Sequence, residues 1–129
     1  MTEPLYEFER AALFALLAGD HRLLTTLREQ AAVALCDRRE RSGSGVFTHL
    51  RVPPDCPIAA TATARFWLGG VHAEIPGVDG GAGIALLVDG GRISMLEAFV
   101  FVGAWPAAIH EFVLSISCTD RGLEALGPG

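Results

Sequence analysis

Lysine is absent from the 129 residues, and all ten basic side chains are arginine. Fifteen acidic residues outnumber them, for a formal charge of −5. A phosphate backbone is held by a positive surface that releases counterions, so this balance argues against a nucleic-acid partner. The only basic cluster, Arg38, Arg39 and Arg41, is interrupted by Asp37 and Glu40. Cysteine is scarce too. Its three copies, at positions 36, 56 and 118, are odd in number and share no ligand-like spacing, which excludes a disulfide framework and reads as reduced, structural thiols.

No long hydrophobic run is present. The most apolar stretch, 93 to 109, is broken by Glu97 and Pro106 and falls short of the ~20 residues a membrane-spanning helix needs. The first residues lack the positive start of a secretory signal, and the apolar stretch behind them ends at Gly19 and Asp20. The expectation is a cytoplasmic protein with no membrane partner.

Complete catalytic signatures are also missing. No serine sits in a Gly-x-Ser-x-Gly elbow, and Gly80, Gly81 and Gly83 open no helix, as a P-loop or dinucleotide fingerprint would. Cys36 falls near the end of a predicted helix, where the dipole does not activate a thiolate. His72-Ala73-Glu74 matches the His-x-Glu half of a zinc deaminase signature, but the Pro-Cys-x-x-Cys half that would complete the metal site is absent. No cofactor is implied.

What is there is a dense apolar chain. Half its residues are hydrophobic and 19% charged, with a mean hydropathy of +0.37. A single domain of this length buries roughly two thirds of its unfolded surface. Either its core is unusually full, or part of the apolar surface meets a partner.

Residues 83 to 102 organise the rest. Two apolar runs flank Asp89-Gly90-Gly91-Arg92, and paired glycines supply the positive φ of a tight hairpin turn. A two-residue turn sets Val88 opposite Ile93, Leu86 opposite Met95 and Ile84 opposite Glu97. The second strand is apolar on both sides, which predicts a central hairpin buried on both faces.

Ahead of it, Thr2 is a candidate cap for a first helix carrying Leu5, Phe8, Ala12, Leu13, Leu16 and Leu17 on one stripe, ended by Gly19. Asp20 is a candidate cap for a second, with Leu24, Leu27, Ala31 and Leu35 inward and Arg22, Arg28, Glu29, Arg38 and Arg39 on a solvated face. This makes 1–41 a helical hairpin. Val46 to Val52 alternates as a half-buried strand, with Phe47, His49 and Arg51 on its second face. From Ala64 to Ile75 the apolar parity changes at Gly69-Gly70. A bulge or a tight turn there restores one apolar face and puts His72 and Glu74 opposite. Glu111 to Ser117 resembles an edge strand, and 119–129 has too little apolar content to dock, predicting a mobile tail. The fold class is therefore α+β, a single domain over 1–129 with an αα-hairpin covering a mostly antiparallel sheet of about five strands across 45–118.

Three groups carry possible chemistry. Glu97, amid Met95, Phe99 and Phe101, is costly as a buried carboxylate unless a cation or several donors meet it. It reads either as a general acid or base with a raised pKa or as half of a structural pair with Arg51, Arg65 or a helix N-terminal amide, and the structural reading is favoured. His72 and Glu74 share a strand face about 7 Å apart. With His49 they form a metal site only if their strands are neighbours; otherwise they are polar residues on a wet face. Trp67 and Trp105 are binding anchors or partly buried core.

Gly43 to Thr48, Val71-His72-Ala73-Glu74-Ile75, Met95-Leu96-Glu97 and Trp105-Pro106 together resemble an uncharacterised family of small bacterial proteins. Its members place Asp before the Val-His-Ala-Glu segment and tyrosines after the Leu-Glu pair, where this chain has Gly70, Phe99 and Phe101. The resemblance implies a compact cytoplasmic domain and carries over no functional residue. The leading expectation is a non-enzymatic interaction domain, a homodimer or a binder of another protein, of which an acidic immunity or antitoxin-like protein is a narrower version. The alternative is a small enzyme or ligand carrier using Glu97, His72 and Glu74.

Overall fold

A computed structural model describes residues 1–117 and 119–129; Cys118 lies outside the described residues. Two helices, α1 (Glu7–Leu16) and α2 (Arg22–Val33), precede six strands: β1 (Leu35–Arg41), β2 (Gly45–Arg51), β3 (Arg65–Glu74), β4 (Ala82–Asp89), β5 (Arg92–Val100) and β6 (Val113–Ile116). All pairs are antiparallel, in the order β1-β2-β5-β4-β3-β6. The α+β class and the helices-on-sheet arrangement are as the sequence predicts. The hairpin β4–β5 occupies the two central positions and β6 an edge.

Gly90 and Gly91 both have positive φ, at 59° and 78°, as a two-residue turn matching strand twist requires. Val88 then faces Ile93 as expected, but Ser94 is an extra residue. Beyond it Leu87 faces Met95, Leu86 faces Leu96, Ala85 faces Glu97 and Ile84 faces Ala98. A one-residue slip exchanges the two faces of a strand. The core accordingly receives Leu96, Ala98 and Val100, while Met95, Glu97 and Phe99 stand on the other side, half-buried. The expected pairing of Ile84 with Glu97 is wrong for this reason.

A second bulge lies at Gly69-Gly70, where two residues of β3 stand against Ala85. Gly70 takes φ +79°. The strand continues through it, so the glycines form a bulge and not a turn. Phe66, Leu68, Val71 and Ala73 all reach the core.

The core lies between that face and the helices. Leu13, Leu16, Leu24, Leu27, Leu68 and Leu86 are fully buried. Helix α1 packs on β3, β4 and β6, and α2 on β5. Gln30 ties α2 to the central turn: its amide donates to the Pro57 and Gly91 carbonyls, each at 2.9 Å, and its oxygen accepts from Ile93 N–H at 2.9 Å.

The helical hairpin is shorter than 1–41. Tyr6 and not Thr2 precedes α1, with its N–H donating to Glu9 Oε1 at 2.7 Å. His21 and not Asp20 caps α2, Nδ1 accepting from Leu23 N–H at 3.1 Å. Residues 35–41 leave the helix for a strand, which makes six strands and not five. Local preference is overridden by tertiary pairing: Glu3 and Cys36 exchange backbone hydrogen bonds at 2.9 and 2.8 Å, and β2 gains a partner.

That change brings Arg39, expected on a solvated helix face, into a buried cluster. Its Nε and Nη2 donate to the two Glu9 oxygens at 2.8 and 2.7 Å, its Nη1 pairs with Glu3, and its guanidinium lies 3.7 Å from the Tyr6 ring centre. Thr48 Oγ1 donates to Glu9 Oε2 at 2.8 Å. Burial would raise the Glu9 pKa, but the Arg39 hydrogen bonds, the Tyr6 N–H, the Thr48 hydroxyl and the Arg39 charge together hold it below the ordinary carboxylate value.

The last residues are not a loose tail. Leu126 is buried, Ala62 and Thr63 donate to the Leu126 and Ala125 carbonyls, and Arg121 donates to Leu16 O and Ala18 O at 3.0 and 2.7 Å. Arg28 adds bonds to Leu17 O and Gly19 O, so two cations meet the negative end of α1. Leu126, with Leu123 and Ala125 packed beside it, joins the core, and the polar backbone contacts add to that docking.

Arg39→Met strands the buried Glu9 carboxylate, and removing one member of such a pair costs about 3 to 5 kcal/mol; urea unfolding at neutral pH measures it. Because the folded Glu9 value lies below the unfolded one, its contribution is full above the unfolded value and is lost as pH falls through the folded one. The acid loss of stability should therefore be shallower in Glu9→Gln than in the wild type.

Candidate interaction face

The helices cover one face of the sheet, and among the described residues no helix or strand packs on the other. Register places its side chains in rows. The first runs Arg38, His49, Met95, Leu87, Trp67 across β1, β2, β5, β4 and β3. The second runs Glu40, Phe47, Glu97, Ala85. The third runs Gly45, Phe99, Gly83, His72, Ser115, ending on β6.

Gly83 is needed where it lies: a Cβ there would meet the Phe99 ring at 2.6 Å. The Phe99 and Phe101 rings meet edge to face at 5.3 Å, and Phe101 stacks on His72 at 6.2 Å. The aromatic cluster thus closes over a backbone with no side chain beneath it. Leu87 is buried within the first row, whereas Trp67 is 42% and Phe101 60% exposed. Trp67 belongs to this open face. Trp105 does not, since it packs on Phe8 of α1 at 6.2 Å.

The expectation that the central hairpin is buried on both sides therefore fails, and with it the case for Glu97 as a buried acid. Glu97 is half-buried between Phe47 and Ala85 on the open face. Neither arginine considered for it is its partner: Arg51 pairs with Asp37 at 3.0 Å and Arg65 with Asp89 at 3.6 Å. From Glu97 to His72 is two strands and one row, about 12 Å between Cα positions at ordinary strand spacings. His72 Nε2 instead meets the Gly80 carbonyl at 2.8 Å.

His49 pairs with Glu40, which also meets Arg38 at 3.3 Å. It is separated from His72 by β5 and β4 and by two rows, about 20 Å at ordinary strand spacings. His49, His72 and Glu74 do not converge, and among the described residues no group of three or more His, Cys, Asp or Glu side chains is placed to hold a metal ion. Glu74 is exposed at the end of β3. There it lines a groove of about 640 Å³ with Glu7, His110, Glu111, Phe112 and neighbouring residues.

Sequence reasoning found the residues of this face but turned β5 the wrong way. The available signal was Ser94, a small polar residue directly after the turn in an otherwise apolar strand, where a bulge is at home. No protein family, curated protein or solved structure matches the chain. Among the described residues no helix is long and apolar enough to cross a membrane.

A half-exposed carboxylate without an ion-pair partner contributes little, so Glu97→Gln should change stability by no more than about 0.5 kcal/mol. Urea titration at fixed protein concentration checks this; a loss of about 2 kcal/mol or more would mean the carboxylate carries a buried bond.

Proposed function

We propose that this chain is a non-enzymatic interaction domain that pairs with a second copy of itself through the open sheet face. The observation carrying the reading is the set Phe47, Trp67, Met95 and Phe99, gathered by register on one side of the sheet around the buried Leu87, with the exposed Phe101 packed on Phe99 and His72. Contiguous apolar surface of this kind marks an interaction site.

The size suits a second copy. Six strands at about 4.8 Å spacing and about eight residues at about 3.3 Å rise span about 750 Å², close to the ~800 Å² each partner gives to a standard interface. The pattern suits it as well, with an aromatic centre and a rim carrying both signs: Arg38, Glu40 and Arg51 on one side, Arg65, Asp89 and Glu74 on the other. Such a surface is complementary to itself under two-fold rotation. The enzyme alternative requires Glu97, His72 and Glu74 to share a site, which their spacing does not favour.

Sedimentation velocity at low micromolar concentration should give twice the 13.7 kDa chain mass. Trp67→Glu places a charge on the exposed aromatic of the first row and should weaken association at least about thirtyfold, as expected of an interface hot spot, with an unchanged far-ultraviolet circular dichroism spectrum. Monomer alone at tens of micromolar would overturn the proposal.

A further inference from the structure

The two edges of the sheet differ. Strand β1 carries Asp37, Arg38, Arg39, Glu40 and Arg41, the charged guard that keeps an edge from pairing, and Glu3 already occupies part of its backbone. Strand β6, Val-Leu-Ser-Ile, has neither charge nor proline. Val113 is 68% and Ile116 44% exposed.

The ladder shows which of its backbone groups are free. Ser117 N–H donates to Gly70 O at 2.7 Å, and His72 faces Ser115 while Glu74 faces Val113. Antiparallel residues alternate between facing the partner and facing away, so Leu114 and Ile116 direct their N–H and C=O groups outward. Outside the β3–β6 ladder, no backbone group among the described residues pairs with them. At the start of this strand lies the groove noted above, where Glu7, Glu74 and Glu111 contribute three carboxylates beside one imidazole, His110, and no arginine lines the wall.

We propose that β6 receives an extended segment of another protein as a seventh strand, with a basic side chain of that segment seated in the groove between Glu7, Glu74 and Glu111. The backbone groups of Leu114 and Ile116 supply the pairing, and the carboxylates select the charge. A second copy fits this edge less well. Antiparallel pairing through β6 would bring Ser117, Thr119 and Asp120 of that copy to the groove, and none is a cation. This edge meets the open sheet face at Glu74, but the Leu114 and Ile116 backbone lies outside that face, so either assignment can fail alone.

The test is an array of octapeptides in which each position in turn is held as Arg, Lys, Glu or Pro in a randomised background. One position should prefer Arg or Lys over Glu by about tenfold, the scale of one to two charge-assisted bonds, and proline should be rejected at alternate positions. Ile116→Pro removes an outward N–H without touching the β3 ladder and should cut retention about tenfold. Should that variant fail to fold, peptides N-methylated at alternate amides remove the same bonds from the other side. Glu74→Gln combined with Glu111→Gln should flatten the charge preference and keep the proline pattern. No retained peptide, proline tolerated throughout, or glutamate accepted as well as arginine would overturn the proposal. So would a dimer that Ile116→Pro dissociates while Trp67→Glu does not, which would place a second copy on the edge.

Discussion

The parity of the sheet rests on two single-residue insertions. A strand has a strict period of two, so each extra residue transfers everything beyond it to the other face. Ser94 sends Leu96, Ala98 and Val100 inward and leaves Met95, Glu97 and Phe99 outside; the Gly69-Gly70 bulge does the corresponding work in β3. Both act in the same direction, filling the helix-facing layer with aliphatic side chains and moving ionisable ones out of it. Without Ser94, Glu97 would lie beneath the helices with no partner, at the cost of an uncompensated buried charge. The apolar open face is the other side of the same solution.

The helix layer is held to that sheet by polar ties at both ends. Glu9, Arg39 and Thr48 join α1 to β1 and β2, while Gln30 joins α2 to the β4–β5 turn. Each buried polar group in these ties meets well-placed partners, the condition under which burial stabilises and fixes a register. Apolar packing alone leaves helices free to slide on a flat aliphatic layer. Directional bonds from Gln30 to Gly91 and Ile93 pin α2 to one position along the hairpin.

Much of this architecture was legible in the chain. Gly90-Gly91 between apolar runs announced the hairpin, strict alternation announced β2, and the parity break at Gly69-Gly70 announced a bulge or a turn there without choosing between them. What stayed hidden depends on long-range partners. Residues 35–41 carry a helix-compatible charge pattern, and only Glu3, Glu9 and β2, distant in sequence, turn them into a strand. Glu97 was read as buried because the run around it is apolar on both sides, and hydrophobicity alone does not say which side the helices take. The final residues looked too polar to dock because their few apolar side chains, Leu123, Ala125 and Leu126, reach the core only with the help of backbone bonds to residues 62 and 63 and of Arg121, distant in sequence.

The closing of α1 by Arg121 has a consequence for biosynthesis. The carbonyls of Leu16 and Ala18 leave the ribosome more than a hundred residues ahead of their guanidinium partner. During translation the first helix therefore carries an unfinished end for more than a hundred residues, with Arg28 its only early tether. Closure of the first helix thus waits on a residue more than a hundred positions downstream, and a nascent product released before it is made would present those carbonyls to water.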